Sequence, residues 1–532
     1  MNKFFLLLAL LTSFSFVQGQ TVIKSNKSNI LVFINYRKIS WSIDPATKPD
    51  RLLVYCSKAE NQVVFKTDVD SAVFIVRKAD TCYLSIILKS TDTAFTEIIG
   101  IKDLPDKITV NEKVFWLSQI WSEAKYNFVN MDRLTFDFDS LYKAFIPQVL
   151  ATKNDYEFYA TLQKLFAFLR DGHTQVGDNG QFYRYKDYVP VTFRDFNKRV
   201  YIVSVRKETG LDSTWVGAEL TAINDIPTTQ YLETNVFPFI SASTEQHLWM
   251  QGVYRLHSDF KDRPFRGTIK KRDGSIENLV LQHNGEETRT DKDQYWGPIV
   301  KYTPEITILK WLPDNIACVS FNRFAPEQEA INSFDRIAPE LTKAKGVIID
   351  LRNNGGGSTT VGWQLQKYLT KGNYFLNYAW ETRINDGARK ANGNWLDEYK
   401  DYFLNKACRF EKPDTVFVSD TLRRISCPVV ILIGRYTFSA AEDFLVNIYE
   451  VPNRPILIGE ETGGSTGSPL VVPGLPGGGY ARICTRRICY PISMNRFVNS
   501  GIKPDIEVKQ TIEDYIKGND IVLEHAIMEL NK

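Results

Sequence analysis

The sequence predicts a multidomain α+β protein whose C-terminal part is an α/β core. Three patterns point to it. In residues 301–532, short β-branched apolar runs alternate with helical stretches; residues 106–180 space apolar side chains as a helix does; residues 20–105 alternate apolar and polar side chains in short runs cut by turns. At 532 residues the chain is long enough for about two to four domains.

The first segment, residues 1–19, has Lys3, an apolar run from Phe4 to Val17, and then Gln18-Gly19. That is the layout of a secretory signal peptide cleaved near Gly19/Gln20, which predicts a secreted or periplasmic protein. The run is too short to span a bilayer and no other stretch approaches a span, so no integral membrane segment is expected. Residues 20–105 carry runs such as Leu52-Leu53-Val54-Tyr55 and Ala72-Val73-Phe74-Ile75-Val76, separated by Asp44-Pro45 and Lys48-Pro49-Asp50. They read as an N-terminal β-sandwich-like domain without a catalytic cluster. In 106–180, Val114, Leu117, Ile120, Trp121 and Ala124 recur at helical spacing, as do Phe158, Leu162, Leu165, Phe166 and Leu169; this is a helical subdomain ending in a turn that holds His173. Strand patterns return in 181–300, with 286–304 polar enough to be a linker. The core, 301–532, opens with strands at 306–312 and 316–321, a helix over 327–345 and a strand at 346–351. Residues 378–424 read as an insertion over the site, and a helix at 521–530 is capped by Asp520.

Composition excludes several classes. A makeup of 43% hydrophobic and 24% charged residues is ordinary for a globular protein, and a net charge of +3 indicates no nucleic-acid footprint. The five histidines form no Cys/His cluster with metal-ligand spacing, so neither metal nor cofactor is expected. Oligomeric state is not legible. Seven cysteines leave at least one unpaired. Cys484 and Cys489 flank a short segment suited to a hairpin staple; Cys56 with Cys82 and Cys408 with Cys427 are further pairings, leaving Cys318 as a buried thiol.

The chemistry concentrates in three stretches. PVVILIGRYTFSAAE, 428–442, places Ser439 where a buried strand hands over to a helix N-terminus, among free N–H groups that stabilise an anion. Serine is also a favoured helix N-cap, a role this position would equally suit. GVIIDLRNNGGG, 346–357, runs a second buried strand into glycines that let the backbone approach a bound group. LRDGHT, 169–174, sets His173 in a tight polar turn. A serine, an N–H nest and a histidine are the minimum parts for acyl transfer.

DLRNNGGG, TFSAAE, DGHT and the later GIKPD, in that order, resemble the tail-specific (C-terminal-processing) serine proteases, in the branch of the tricorn core and the interphotoreceptor retinoid-binding protein. The resemblance covers roughly 108 to the C-terminus. It implies a crotonase-like α/β protease core and a peptide or protein substrate. It also implies Ser439 as nucleophile and Gly356 and Ala440 as donors of the oxyanion hole. The tail-specific branch uses a lysine base about two dozen residues past the serine, but no lysine stands between Ser439 and Lys503. By resemblance to the tricorn-like branch, His173 takes the base role. That branch has a serine just before the histidine, here Gly172, and a glutamate shortly before G-x-x-P-D, which is absent here. Glu460, Glu461, Ser500 and Asp171 are the candidates left for orienting the imidazole. Within 181–300, Gly210-Leu211 followed by Gly217-Ala218-Glu219-Leu220-Thr221-Ala222-Ile223-Asn224 resembles half of a PDZ domain, a module that binds an extended peptide at a sheet edge. The incomplete relay leaves a second reading open, a non-catalytic peptide- or lipid-binding protein on the same scaffold.

Overall fold

The computed structural model describes residues 104–532, apart from 262, 287–293, 300–302 and 498, together with the backbone of eight strands between Thr21 and Ile99. The chain divides into two compact units, residues 1–105 with 262–264, and residues 106–261 with 265–532.

In the first unit the alternating runs form two four-stranded antiparallel sheets. One has the order 21–24, 30–35, 38–43, 71–75; the other has the order 63–65, 51–56, 82–89, 92–99. Cys56 stands opposite Cys82 in the register of the second sheet; their side chains lie outside the described residues, so the expected pairing does too.

The second unit is built on a six-stranded sheet in the order Thr307–Leu312, Ile316–Phe321, Gly346–Asp350, Val429–Ile433, Ile456–Gly459, Ile506–Glu507. The first pair is antiparallel and every later pairing is parallel. Parallel strands are covered on both faces, which is why they read as unbroken apolar runs. Successive side chains point to opposite faces. Val347 and Ile349 enter the larger core with Phe334, Leu365 and Phe444 from the helices Glu327–Leu341, Thr359–Leu369 and Ala440–Tyr449. Ile348 points the other way, to Val522 and Ala526 of the helix Ile521–Leu530. Asp520 caps that helix, accepting from Leu523 N–H at 3.1 Å, and pairs with Arg352 at 2.7 Å, so part of the DLR stretch ties the last helix to the sheet.

Before the core come the helices Val110–Asn127, Phe138–Leu150 and Asp155–Ala167, then an antiparallel sheet in the order 191–196, 199–206, 219–223, 264–270, 276–282. Tyr295–Trp296, inside the segment expected to be a linker, pairs with the 199–206 strand. The segment 378–424 does not cover the site: its strand Ala379–Arg383 lies between Cys408–Glu411 and Arg487–Cys489. The cysteine pairings at 484/489 and 408/427 are also corrected, since Cys318, Cys408, Cys427, Cys484 and Cys489 are all free thiols. The reason for 484/489 is topological. The strand Gly479–Cys484 belongs to one sheet and Arg487–Cys489 to another, so the chain leaves one ladder for the next instead of closing a hairpin. Among the described residues no helix is long and apolar enough to cross a membrane.

Candidate active site

The strands Gly346–Asp350 and Val429–Ile433 pair directly, with Asp350 opposite Leu432. Their carboxyl ends open side by side, the position where open α/β sheets bind ligands. The second strand turns through 434–438 into Ser439, which heads the helix Ala440–Tyr449 with φ 58° and ψ −128°. A non-glycine residue holds such a conformation at a cost of about 1–3 kcal/mol, and does so where its surroundings over-determine it. Here Ser439 N–H donates to Ser465 O at 3.1 Å, Glu442 N–H donates to Ser439 O at 2.7 Å, and Phe438 N–H donates to Asn354 O at 3.0 Å. The hydroxyl makes no helix-cap bond. Ser439 Oγ instead lies 2.9 Å from His173 Nε2, across 266 residues of sequence.

His173 follows the helix Asp155–Ala167 and precedes the strand Gln175–Gly177, which becomes the third strand beside the core hairpin Pro469–Leu475/Gly479–Cys484. That strand carries the imidazole to the core. The turn itself is tied by short polar bonds. Asp171 Oδ1 accepts from His173 N–H and Thr174 Oγ1, each at 2.9 Å, and Thr174 Oγ1 accepts from Cys484 N–H at 3.0 Å. Ser241 and Ser243 hydroxyls accept from the N–H groups of Asp171 and Gly172 at 3.1 and 3.0 Å. The Phe438 ring lies parallel to the imidazole, with centroids 5.0 Å apart, and His247 meets Phe438 edge-on at 4.6 Å.

Burial, with Arg482 and His247 adding positive charge nearby, lowers the His173 pKa to about 3, so the ring is neutral around pH 7. A neutral imidazole accepting at Nε2 carries its proton on Nδ1. Nδ1 stands 2.8 Å from Ser465 Oγ, the acceptor that fixes this tautomer. Ser465 is aimed by Glu442, whose carboxylate accepts from Gly464 N–H at 2.7 Å, from Ser465 N–H at 2.9 Å and from the Thr462 hydroxyl. Complete burial pushes Glu442 up to about 8, against the pull of those three donors.

The sequence names neither Ser465 nor Glu442 for these places. Of the orienting candidates, none meets the imidazole. Asp171 holds the His173 backbone, Glu461 accepts from Gly501 N–H at 3.1 Å, Glu460 is half-buried away from the ring, and Ser500 is exposed. The one available signal was position: Ser465 stands about two dozen residues past Ser439, where a lysine stands in tail-specific proteases. Gly172 leaves room for this arrangement. A Cβ there would come within 2.8 Å of Phe438 Cζ and 3.2 Å of Ser465 Cβ, so a serine at 172 and the present ring stack exclude each other.

Gly356 packs against the nucleophile. A Cβ at this residue would lie 2.7 Å from Phe438 O and 2.8 Å from Ala440 N, and its φ of +92° is a glycine conformation. Its N–H donates to Asn354 Oδ1 at 2.9 Å. Ala440 N–H, first of its helix and buried, has no acceptor among the described residues. A cavity of about 510 Å³ opens in front of Ser439 and His173.

Residues 315–508, which hold both strand ends, Ser439 and Ser465, match the model of peptidase family S41. Over that stretch the chain is similar to the S41 peptidases. It is a serine-type peptidase. Mature CPAF complexed with lactacystin has the same fold, with a TM-score of 0.60 at 14% identity over 79% of this chain and 99% of that one. The photosystem II D1 C-terminal processing protease aligns at a TM-score of 0.42 and 15% identity, over 75% of this chain and 93% of that one. No curated protein matches the sequence.

Proposed function

We propose that this protein is an S41 peptidase that cleaves peptide bonds in a peptide or protein substrate through an acyl-enzyme, with Ser439 as nucleophile and His173 as general base. One observation carries the reading: the 2.9 Å contact between His173 Nε2 and Ser439 Oγ. As Oγ attacks the carbonyl carbon, Nε2 takes its proton and then delivers it to the leaving amine; water, deprotonated by the same nitrogen, releases the acyl group. The tetrahedral oxyanion accepts from Ala440 N–H and from Gly356 N–H, the latter after exchanging Asn354 Oδ1 for the substrate oxygen. Each such donor is worth about 3 kcal/mol of barrier. Ser465, held by Glu442, keeps the imidazole in the accepting tautomer. The absence of lysine between Ser439 and Lys503 favours the tricorn-like branch.

The same reading includes export after removal of residues 1–19 and a β-sandwich-like domain over 20–105. It also includes a helical subdomain over 106–180, a PDZ-like module over 181–300 that adds a substrate strand to its sheet, and a crotonase-like core over 301–532. The buried ion pair of Arg435 with Asp195, at 2.5 Å, supports communication between the module and the nucleophile turn, since Arg435 lies within that turn. A fluorophosphonate probe tests the chemistry. Labelling of the wild type at Ser439, lost in Ser439→Ala, is expected; an unlabelled Ser439 in folded protein would overturn the hydrolase reading.

A further inference from the structure

Two histidine rings line the cavity in front of Ser439, and they are partnered differently. His173 has both nitrogens engaged, by Ser465 and Ser439. His257, away from the cavity, also engages both: Nε2 accepts from Phe193 N–H at 2.7 Å and Nδ1 lies 2.9 Å from Tyr254 O. His247 is only 6% exposed, yet neither of its ring nitrogens makes a hydrogen bond among the described residues. Nδ1 is sealed from solvent. A Cβ on Gly463 would lie 3.3 Å from that atom, so this edge of the ring packs on the backbone and Nε2 is left to the cavity. The backbone side is fixed. Thr244 caps the helix Glu245–Arg255 by accepting from His247 N–H at 3.3 Å, and itself donates to Gly463 O at 2.7 Å. Gln246 Nε2 donates to Thr462 O at 2.9 Å. Burial lowers the His247 pKa to about 4, against the pull of the Gly463 carbonyl, so the ring is neutral near pH 7. With its proton on Nδ1, beside Gly463, the ring presents a lone pair at Nε2. A buried polar group without a partner is costly, and a ligand that supplies the partner recovers that cost.

We propose that His247 is a specificity-determining residue whose Nε2 accepts a hydrogen bond from an uncharged N–H or O–H donor of the substrate, beside the bond to be cut. The donor comes either from the substrate main chain or from a side-chain amide or hydroxyl; the recognising chemistry is the same. The rest of the wall suits a neutral donor. Gln175, Gln251 and Asn353 line the cavity, and among the described residues its lining has no Asp or Glu to draw an ammonium group. Arg482 lines it too and adds positive charge near His173, which repels an ammonium. A donor that enters the site leaves water behind, so an acceptor waiting there separates substrates that carry the donor from isosteres that lack it. This inference rests on the catalytic reading of Ser439 for its consequence, but binding can be measured without turnover.

The test uses full-length Ser439→Ala protein and fluorescein-labelled alanine hexapeptides altered at one position at a time. One arm sets Gln against Met and Thr against Val, pairs of similar shape that differ in the donor. The other arm replaces one backbone amide by an ester, which removes the N–H. Fluorescence anisotropy should show at least about tenfold tighter binding of the donor-bearing peptide at one position, and the arm in which this occurs identifies the source. The preference should fall to parity in Ser439→Ala/His247→Phe, which keeps an aromatic ring without nitrogens. It should return in part in Ser439→Ala/His247→Gln, which restores an acceptor. A purely structural role would weaken both members of a pair alike. No donor preference at any position, or one that survives His247→Phe unchanged, overturns the proposal. If the variants fold poorly, NMR of isotope-labelled histidine rings in Ser439→Ala protein decides. The donor-bearing peptide must shift one imidazole more than its donor-less partner does, and equal patterns overturn the proposal. Fluorophosphonate labelling of wild type without a donor preference would leave the serine mechanism standing and remove this subsite; a donor preference without labelling would do the reverse.

Discussion

The turn that presents Ser439 and the turn that presents His173 meet at 2.9 Å but are built in different ways. The serine turn is local. It sits between a buried parallel strand and a buried helix, and its unusual φ of 58° is enforced by neighbours in the same core, including Asn354 and Gly356 at the next strand end. The histidine turn is borrowed. Its geometry comes from Ser241 and Ser243 in one segment, Cys484 in another and Ser465 in a third. A nucleophile held by backbone should tolerate little at the main chain. A base held by distributed side-chain bonds should lose orientation in steps.

The largest effects come from the two groups themselves. Ser439→Ala and His173→Ala should each lower kcat about 10⁴-fold or more, with the double variant no worse than the worse single, because they act as a unit. Additive losses in steady-state cleavage would break the pairing. Next is the main-chain neighbour. Gly356→Ala should cost about 100-fold or more in kcat together with about 1–3 kcal/mol of stability, since its Cβ meets Phe438 O at 2.7 Å and its φ is +92°. Cleavage rates and urea melts would separate the two losses. A smaller, graded effect is expected on the borrowed side. Ser465→Ala should reduce kcat about 10- to 100-fold with little change in KM, because substrate binding is untouched while the imidazole loses its Nδ1 acceptor. Ser465→Thr, which keeps the hydroxyl, should recover part of that loss.

The subtlest prediction concerns pH. Burial lowers the His173 pKa from an ordinary value of 6.5 to about 3, so kcat/KM should stay flat from pH 7 to about 5 and fall only as pH approaches the lowered value. An acid limb near 6.5 would mean an open, hydrated imidazole. The stability linkage has a matching sign. Between pH 6.5 and about 3 the unfolded chain binds a proton at this residue that the folded chain does not, so this contribution is complete above 6.5 and is lost as pH falls through that window. His247, lowered by burial to about 4, acts in the same direction. Asp171 and Glu442, raised by burial to about 6 and about 8, act in the opposite one. The kinetic limb is therefore the cleaner readout.

The core strands were legible because a parallel strand covered on both faces must be apolar throughout: Gly346–Asp350 and Val429–Ile433 are short β-branched runs with glycine at one end. Helical spacing identified Leu117, Ile120 and Ala124, and Phe158, Leu162, Leu165 and Phe166, all buried. Val114 follows the same spacing but is 42% exposed, since periodicity marks a stripe and not its edge. The disulfide reading at Cys484 and Cys489 failed because short spacing suggests a hairpin, whereas the chain there passes between two sheets.

Local chemistry by itself determined the strand ends, the glycine run beside one of them, and a serine and a histidine each set in a turn, because these depend on side-chain type within a few residues. Tertiary structure decided which hydroxyl receives the Nδ1 proton and that Glu442 is drawn inside to aim it. The first joins residues 292 positions apart beside a shared strand ladder, and the second joins residues 23 apart; at neither distance does periodicity or spacing in the chain record the neighbour.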